Sequence, residues 1–223
     1  MNRLGEIVAA ITALSANQIV LGLVALSAFM LVIEDRRIVL IPLVAQYILL
    51  AVLSSSVLYR PVMWVRWGLG IAIGLLLYIT ASHMQRRQIA SLAGRSRPLP
   101  SMGFLFRIFS FALSALAAYG LWRAYPSSSI PPESNLAGYL LMIVGIVMMI
   151  SGVGPLRAGL GVLVFMNGFE AWYFFLERSL LAGALLGALD ILAALGIVVC
   201  TESWLQVVHA QERDMLRGEE VEQ

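Results

Sequence analysis

Long apolar runs, separated by short charged breaks, are the feature that most constrains the fold of this chain. A helix needs about 20 mainly apolar residues to cross the hydrocarbon core of a bilayer. Backbone groups in lipid must find their hydrogen-bond partners within the segment, which favours helices over open strands. The runs that approximate this length are residues 10–33, 38–58, 62–82, 102–122, 136–151, 156–176 and 180–200. Residues 85–101 are predicted as a polar loop and residues 125–135 as a turn-rich loop.

These runs predict an all-α fold: a polytopic transmembrane bundle of about seven helices. We expect one transmembrane helical domain over residues 1–205 and a polar cytoplasmic tail over 206–223. Hydrophobic residues make up 60% of the 223 and charged residues only 13%, about half the charged share of a soluble domain. The first run is too long for a cleaved signal peptide, so we expect a retained helix.

The charged and sulfur-containing residues exclude several kinds of function. The net charge of +2 is too small to indicate a nucleic-acid partner. The single cysteine, Cys200, cannot form an internal disulfide or supply a cysteine-rich zinc or iron–sulfur site. No phosphate-binding glycine loop or nucleophile elbow is present. The sequence therefore predicts no cofactor, no metal and no catalysis by this chain alone.

The arginines predict the orientation of the chain in the membrane. All 15 basic residues are arginine, and basic residues concentrate in cytoplasmic loops. With alternating helices, ten of them lie on one face and five on the other. We therefore expect the N-terminus outside and the C-terminus in the cytoplasm. The ten cytoplasmic residues are Arg36, Arg37, Arg86, Arg87, Arg95, Arg97, Arg107, Arg157, Arg213 and Arg217.

The order of the runs also suggests an internal repeat of two three-helix units. Runs one to three and runs five to seven share a plan: a span, a turn with arginine, a second span, a break with arginine, and a glycine-rich third span. The fourth run joins the two units. Both units would keep the same orientation, as in a parallel repeat.

Asp190 lies near the middle of the seventh run, where an ionised side chain costs at least a few kcal/mol and needs a reason to be there. Gly183, Gly187 and Ala194 share its helix face by their spacing, and small residues let helices approach closely in lipid. We therefore expect Asp190 to point into the bundle. Two interpretations remain open: a hydrogen-bonded carboxyl that joins helices, or a carboxyl on a proton path.

A second acid, Glu170, lies towards the outer end of the sixth run, and Arg66 lies at the start of the third. Together with Asp190, Glu170 would put acids on consecutive helices, as a proton path requires. The alternative for Glu170 is an interfacial carboxyl beside Trp172 and Tyr173, which we expect in an aromatic belt at the outer membrane surface. For Arg66 the alternatives are a side chain that extends to the outer surface and a fixed positive charge that faces the bundle.

Further residues are predicted to hold helices together. Gln46, in the middle of the second run, and Asn167, three residues before Glu170, are expected to serve polar packing between helices. Gly70 and Gly74 form a GxxxG pair in the third run, which favours a close helix contact.

Several short motifs in this chain resemble a known family of membrane subunits. The chain resembles the small K-type subunit of respiratory complex I, and still more its larger relative, component E of hydrogenase-4 and formate hydrogenlyase complexes. In that family a cytoplasmic basic turn leads into a helix with a glycine, an acid, and an Asn-Gly or Asn-Ala pair, and a later helix carries a second acid among small residues. The matching residues are Arg157, Gly161, Met166-Asn167-Gly168 and Leu186-Gly187-Ala188-Leu189-Asp190, with Arg36-Arg37, Gln46 and Arg66 in the first half.

The resemblance implies roles for three residues. Asp190 matches the second membrane acid of the family. The first acid has no match beside the Asn-Gly pair: Met166 stands there, or Leu163 in the K-type alignment. Glu170 lies about one helical turn from Met166 and would be its functional substitute. Arg66 stands where component E tends to carry a buried lysine; it supplies a charge but cannot release a proton.

The leading hypothesis from this resemblance is a non-catalytic membrane subunit of a complex I-like or hydrogenase-4-like assembly, in a bacterial or archaeal plasma membrane. Asp190, Glu170 and Arg66 would contribute to proton-translocation coupling, while the redox chemistry would belong to partner subunits. The alternatives are a structural or assembly subunit of another membrane complex, in which the acids join helices, and a small stand-alone transporter.

Overall fold

The structure is a computed structural model that describes residues 14–33, 35, 37–54, 60–91, 103–152, 154–177 and 179–221. Within these ranges the chain forms seven α-helices and no strand, so the predicted all-α class is confirmed. The helices are α1 (Ala16–Val32), α2 (Leu40–Leu53), α3 (Arg60–Ser91), α4 (Phe104–Ala124), α5 (Pro132–Ser151), α6 (Pro155–Leu176) and α7 (Leu180–Val221).

Five of these helices, α3 to α7, are long and apolar enough to cross a membrane. In α7 the apolar span covers Leu180–Val207. Helices α1 and α2 are apolar but shorter, with 17 and 14 residues. The molecule is a helical bundle of the transmembrane type.

Several helix ends differ from the predicted spans. Helix α2 ends at Leu53, whereas the predicted span continues to residue 58, and residues 55–58 of that span lie outside the described residues. Helix α3 continues to Ser91 and α7 to Val221, because residues with good helix propensity, such as glutamine, arginine and glutamate, follow the apolar runs. Helix α5 begins at Pro132, inside the predicted loop 125–135, because proline suits the first turn of a helix. The predicted start of the first span, residues 10–13, and residues 92–101 of the predicted loop 85–101 lie outside the described residues.

The two predicted three-helix units lie side by side. Helix α1 packs against α5, α2 against α6, and α3 against α7. Within each unit, consecutive helices also contact one another, and α4 packs on α1 and α5. Helices α2 and α6 are the middle members of their units, so the side chains between them lie near the centre of the bundle.

The most extensive helix contact joins α5 and α6, and it depends on glycine. A Cβ atom at Gly161 would lie 2.7 Å from the carbonyl oxygen of Gly145, too close for any side chain. The missing side chains let the two backbones approach each other directly. The close contact predicted for Gly70 and Gly74 is confirmed, since both lie against side chains of α2.

The turn that leads into α6 requires a glycine. Gly154 has a φ of 96°, in a region of backbone conformation that a side chain makes costly. Pro155 follows as the first residue of α6, a position that its fixed φ favours. The short turn brings α6 directly back against α5.

One end of α1 is held by arginines from two other helices. Arg157, in the first turn of α6, donates hydrogen bonds to the carbonyl oxygens of Ile33 and Leu31, at 3.2 and 2.7 Å. Arg107, at the start of α4, donates to the carbonyl oxygen of Val32 at 3.2 Å. Carbonyls at a helix C-terminus lack partners within the helix and carry partial negative charge. The two guanidinium groups therefore fix this end of α1 against α4 and α6.

Candidate functional site

Both membrane acids predicted from the sequence are buried inside the bundle. The exposed fraction is 0% for Asp190 on α7 and 2% for Glu170 on α6. The small-residue face accounts for the burial of Asp190: Gly187 lies next to Leu69 of α3, and Ala194 is buried as well. The interfacial position considered for Glu170 is wrong, because its side chain is directed into the bundle towards α3.

Arg66 is the counter-charge of Glu170. Its Nη2 atom forms an ion pair with Oε2 of Glu170, and the two side chains are 6% and 2% exposed. The guanidinium also lies over the ring of Phe174, 4.6 Å from the ring centroid, which is a favourable cation–π geometry. Arg66 therefore does not extend to the outer surface. The carboxylate of Glu170 gives the guanidinium a partner inside the protein, so the interpretation as a fixed internal charge is correct.

The ion pair joins two residues that lie at equal depth in their helices. Arg66 is six residues from the start of α3, and Glu170 is six residues from the end of α6. Six residues of α-helix rise about 9 Å. Since the two side chains touch, the start of α3 and the end of α6 lie on the same side of the bundle, with the ion pair about 9 Å inside.

Tyr47, on α2, is a site residue that sequence reasoning missed. Its hydroxyl donates a hydrogen bond of 3.1 Å to Oδ2 of Asp190, and its side chain is fully buried. It fits there because Gly70 of α3 leaves space for its ring. A buried tyrosine hydroxyl needs a hydrogen-bond partner, but the sequence alone does not show that Tyr47 is buried beside an acid. In the structure Tyr47 lies six residues from the end of α2, the same depth as Arg66 and Glu170 in their helices.

Arg66, Glu170, Asp190 and Tyr47 form one group, which we call the charge cluster. The carboxyls of Glu170 and Asp190 interact with each other, and the charge of Arg66 acts on both. The guanidinium of Arg66, on α3, is thus the shared counter-charge of two carboxyls, one on α6 and one on α7. With both carboxyls ionised the cluster has an excess negative charge, and one proton makes it neutral, which burial favours. The cluster therefore combines one fixed positive charge with two carboxyls.

The two residues predicted for polar packing behave differently. Gln46 donates from Nε2 to Oγ of Ser27 at 3.1 Å, and Ser27 donates to the carbonyl oxygen of Leu23 at 2.7 Å. Gln46 therefore joins α2 to α1, as predicted, and this hydrogen bond leads away from the charge cluster. Asn167 is fully buried, but its amide forms no hydrogen bond with the described residues. Among the described residues, neither a backbone group nor another polar side chain lies within hydrogen-bond distance of this amide.

Side chains that bind metal ions are sparse in the described ranges. No group of three or more His, Cys, Asp or Glu side chains in those ranges is placed to hold a metal ion. His83 is exposed on α3, and Cys200 is exposed on α7. In comparisons with known proteins, no family model, no curated protein and no solved structure matches the chain.

Proposed function

We propose that this chain is a non-catalytic integral membrane subunit of a complex I-like or hydrogenase-4-like assembly, and that its charge cluster takes part in proton-translocation coupling. The observation that carries the proposal is the buried contact among Arg66, Glu170 and Asp190. Ionisable groups inside a membrane protein are costly and usually mark a proton or ion pathway. Here two acids and a base from three helices meet away from water.

Within this proposal, coupling acts through a choice of partner for Arg66. When Arg66 pairs with Glu170, the shared proton rests on Asp190, whose Oδ2 accepts the hydrogen bond of Tyr47. A charge that moves in a neighbouring subunit changes the relative cost of the two carboxylates. The proton then moves from Asp190 to Glu170, and the positive charge of Arg66 stabilises the carboxylate of Asp190 instead. Arg66 keeps its proton throughout, so it acts as a fixed charge.

The proposal also includes a location and partners. The chain lies in a bacterial or archaeal plasma membrane, with its N-terminus outside and its C-terminus in the cytoplasm, as the excess of ten arginines over five supports. Redox chemistry and any clusters or cofactors belong to partner subunits, which contact this chain within the bilayer.

The test begins with the assembled complex. An affinity tag on this chain, followed by mass spectrometry of what co-purifies, should recover antiporter-like and hydrogenase-like or quinone-reducing subunits. In inverted membrane vesicles, Asp190→Asn should then lower proton pumping per turnover of that complex. Glu177→Gln is the matched control, because Glu177 is an exposed acid just beyond the end of α6, and it should leave pumping unchanged.

A structural role is the second candidate, because the charge cluster joins four helices through an ion pair and a hydrogen bond. In that case Asp190→Asn lowers the thermal stability of the complex in detergent and spares both turnover and pumping. A stand-alone transporter is distinguished by a third measurement: flux through liposomes that contain only the purified chain would contradict the subunit proposal.

A further inference from the structure

A pocket of about 290 Å³ lies between the end of α4 and the start of α5. Both helices are long and apolar enough to cross a membrane over their whole length, α4 up to Ala124 and α5 from Pro132. The pocket therefore lies where two spans leave the membrane, and no member of the charge cluster lines it. Its lining residues are Trp122, Arg123, Pro126, Ser127, Pro132 and Asn135.

The positive charge of the pocket comes from Arg123, in the last turn of α4. Its Nη1 atom donates a hydrogen bond of 3.3 Å to the hydroxyl of Tyr119, and its Cζ atom lies 6.0 Å from the centre of that ring. Arg123 is exposed, and no carboxylate of the described residues forms an ion pair with it. An uncharged tyrosine thus orients the guanidinium, whose other N–H donors remain available to an anion.

Asn135, the fourth residue of α5, is the most buried residue of the lining. It is 1% exposed, and its Oδ1 atom has no hydrogen-bond partner among the described residues. A buried amide oxygen without a partner is costly. Because no hydrogen bond holds this oxygen, the amide can rotate about its last torsion and present Oδ1 to a donor in the pocket.

The start of α5 decides the net charge that suits the pocket. Pro131 and Pro132 begin the helix without a side-chain cap, and the first N–H groups of a helix carry partial positive charge. Glu133, in the same turn, does not line the pocket, but its negative charge lies nearby. With Arg123 on one helix and Glu133 on the other, a ligand with one charge of each sign fits better than a purely anionic one.

The surface beside the pocket favours a lipid over a soluble ligand. Tyr119 and Trp122 lie against each other at the end of the α4 span, with ring centroids 5.6 Å apart, and such aromatic residues lie at headgroup level in membranes. Leu116 and Phe109 are 67% and 66% exposed, and their spacing places them below Tyr119 on the same helix face. This apolar face gives hydrocarbon tails a path away from the pocket.

We propose that the pocket binds the headgroup of a zwitterionic phospholipid whose ammonium carries N–H donors, as in phosphatidylethanolamine. The phosphate binds Arg123 through charge-assisted hydrogen bonds. The ammonium donates a hydrogen bond to Oδ1 of Asn135, which gives this buried oxygen its partner. The tails lie on the exposed face of α4 and add little preference, because all lipid tails are similarly apolar.

The test uses the full chain in dodecyl maltoside, with lipid binding measured by native mass spectrometry. The probes are dioleoyl phosphatidylethanolamine and dioleoyl phosphatidylcholine, which share tails, phosphate and net charge but differ in N–H donors. We expect phosphatidylethanolamine to bind about tenfold more tightly, the weight of one hydrogen bond to a charged group. Arg123→Gln should weaken both lipids, whereas Asn135→Leu should weaken only phosphatidylethanolamine and so remove the preference.

Asn167→Leu is the matched control, because Asn167 is also a buried asparagine without a partner among the described residues, and it does not line the pocket. It should keep the preference for phosphatidylethanolamine. Helical circular dichroism checks that each variant is folded. If Asn135→Leu does not fold, the two lipids on the unmodified chain and Arg123→Gln, at an exposed position, still decide.

Three results would overturn the proposal. Equal affinity of the unmodified chain for the two lipids means that no donor reaches Asn135. Tighter binding of phosphatidylcholine means that Trp122 receives a quaternary ammonium instead. Binding of soluble glycerophosphoethanolamine as tight as that of the lipid means that the ligand is a free phosphate ester.

Discussion

Removing both acids of the charge cluster should destabilise the fold by more than the sum of the two single changes. Arg66 has a side chain only 6% exposed and cannot lose its proton. After Glu170→Gln, Asp190 remains close enough to act on the guanidinium. After Asp190→Asn, the ion pair with Glu170 remains intact. Only Glu170→Gln with Asp190→Asn leaves the guanidinium buried without a counter-charge.

The magnitudes follow from this geometry. Each single change removes hydrogen bonding to a charged group and should lower the free energy of unfolding by about 1–3 kcal/mol. Stranding the buried charge costs about 3–5 kcal/mol. The stranding cost adds to the losses of the two single changes, so the free energy of unfolding of the double variant should fall by about 3 kcal/mol more than their sum, at the upper end of the range for coupled neighbours. Adding Arg66→Met to the double variant removes the stranded charge and should recover most of that excess.

The assay is unfolding of the purified chain by sodium dodecyl sulfate in mixed micelles, followed by the loss of helical circular dichroism. Glu177→Gln, at an exposed position, serves as the control and should change little. Strict additivity of the two single changes would refute the reasoning, because it would mean that Asp190 does not replace Glu170 as the partner of Arg66. Failure of Arg66→Met to recover stability would refute it as well.

Two further predictions concern packing and the tyrosine, and both use the same unfolding measurement. Gly161→Ala should destabilise by about 1–3 kcal/mol through overpacking, because its Cβ would lie 2.7 Å from the carbonyl oxygen of Gly145. Gly196→Ala is the control, because a Cβ atom there has no atom within 4 Å, and it should raise the free energy of unfolding by up to about 1 kcal/mol through helix propensity. Similar effects of the two variants would contradict the close approach of α5 and α6 at Gly161. Tyr47→Phe removes the hydrogen bond to Asp190 and should cost about 0.6 kcal/mol, the average for such bonds between membrane helices. A cost above about 2 kcal/mol would mean that the hydroxyl does more than bind one carboxylate oxygen.

The helices of this chain could be predicted because their signal is local. An apolar run of about 20 residues indicates a membrane span, and a single segment that crosses lipid satisfies its own backbone hydrogen bonds as a helix. The ends were less predictable, since hydropathy marks where a span leaves the apolar region and not where the helix stops. Helices α3 and α7 therefore continue into polar sequence, to Ser91 and Val221.

The members of the charge cluster were partly predictable. Arg66, Glu170 and Asp190 stand out because ionisable residues are rare in apolar runs. Their pairing could not be assigned, although the equal depth of Arg66 and Glu170 in their helices was visible once the helix ends were known. Tyr47 was missed because an aromatic residue in an apolar run is ordinary, and only its contact with Asp190 distinguishes it.

The sequence by itself determined that this chain forms apolar helices and indicated that Asp190 points into the bundle, while it left the positions of Glu170 and Arg66 open. Burial of apolar surface has no direction, so composition and spacing are enough to predict it. Only the tertiary structure decided that Arg66 forms an ion pair with Glu170, and that Asp190 accepts a hydrogen bond from Tyr47. An ion pair needs two atoms within a few ångströms, and these residues are 104 positions apart. Their meeting depends on how each helix is rotated and packed, which no local pattern contains.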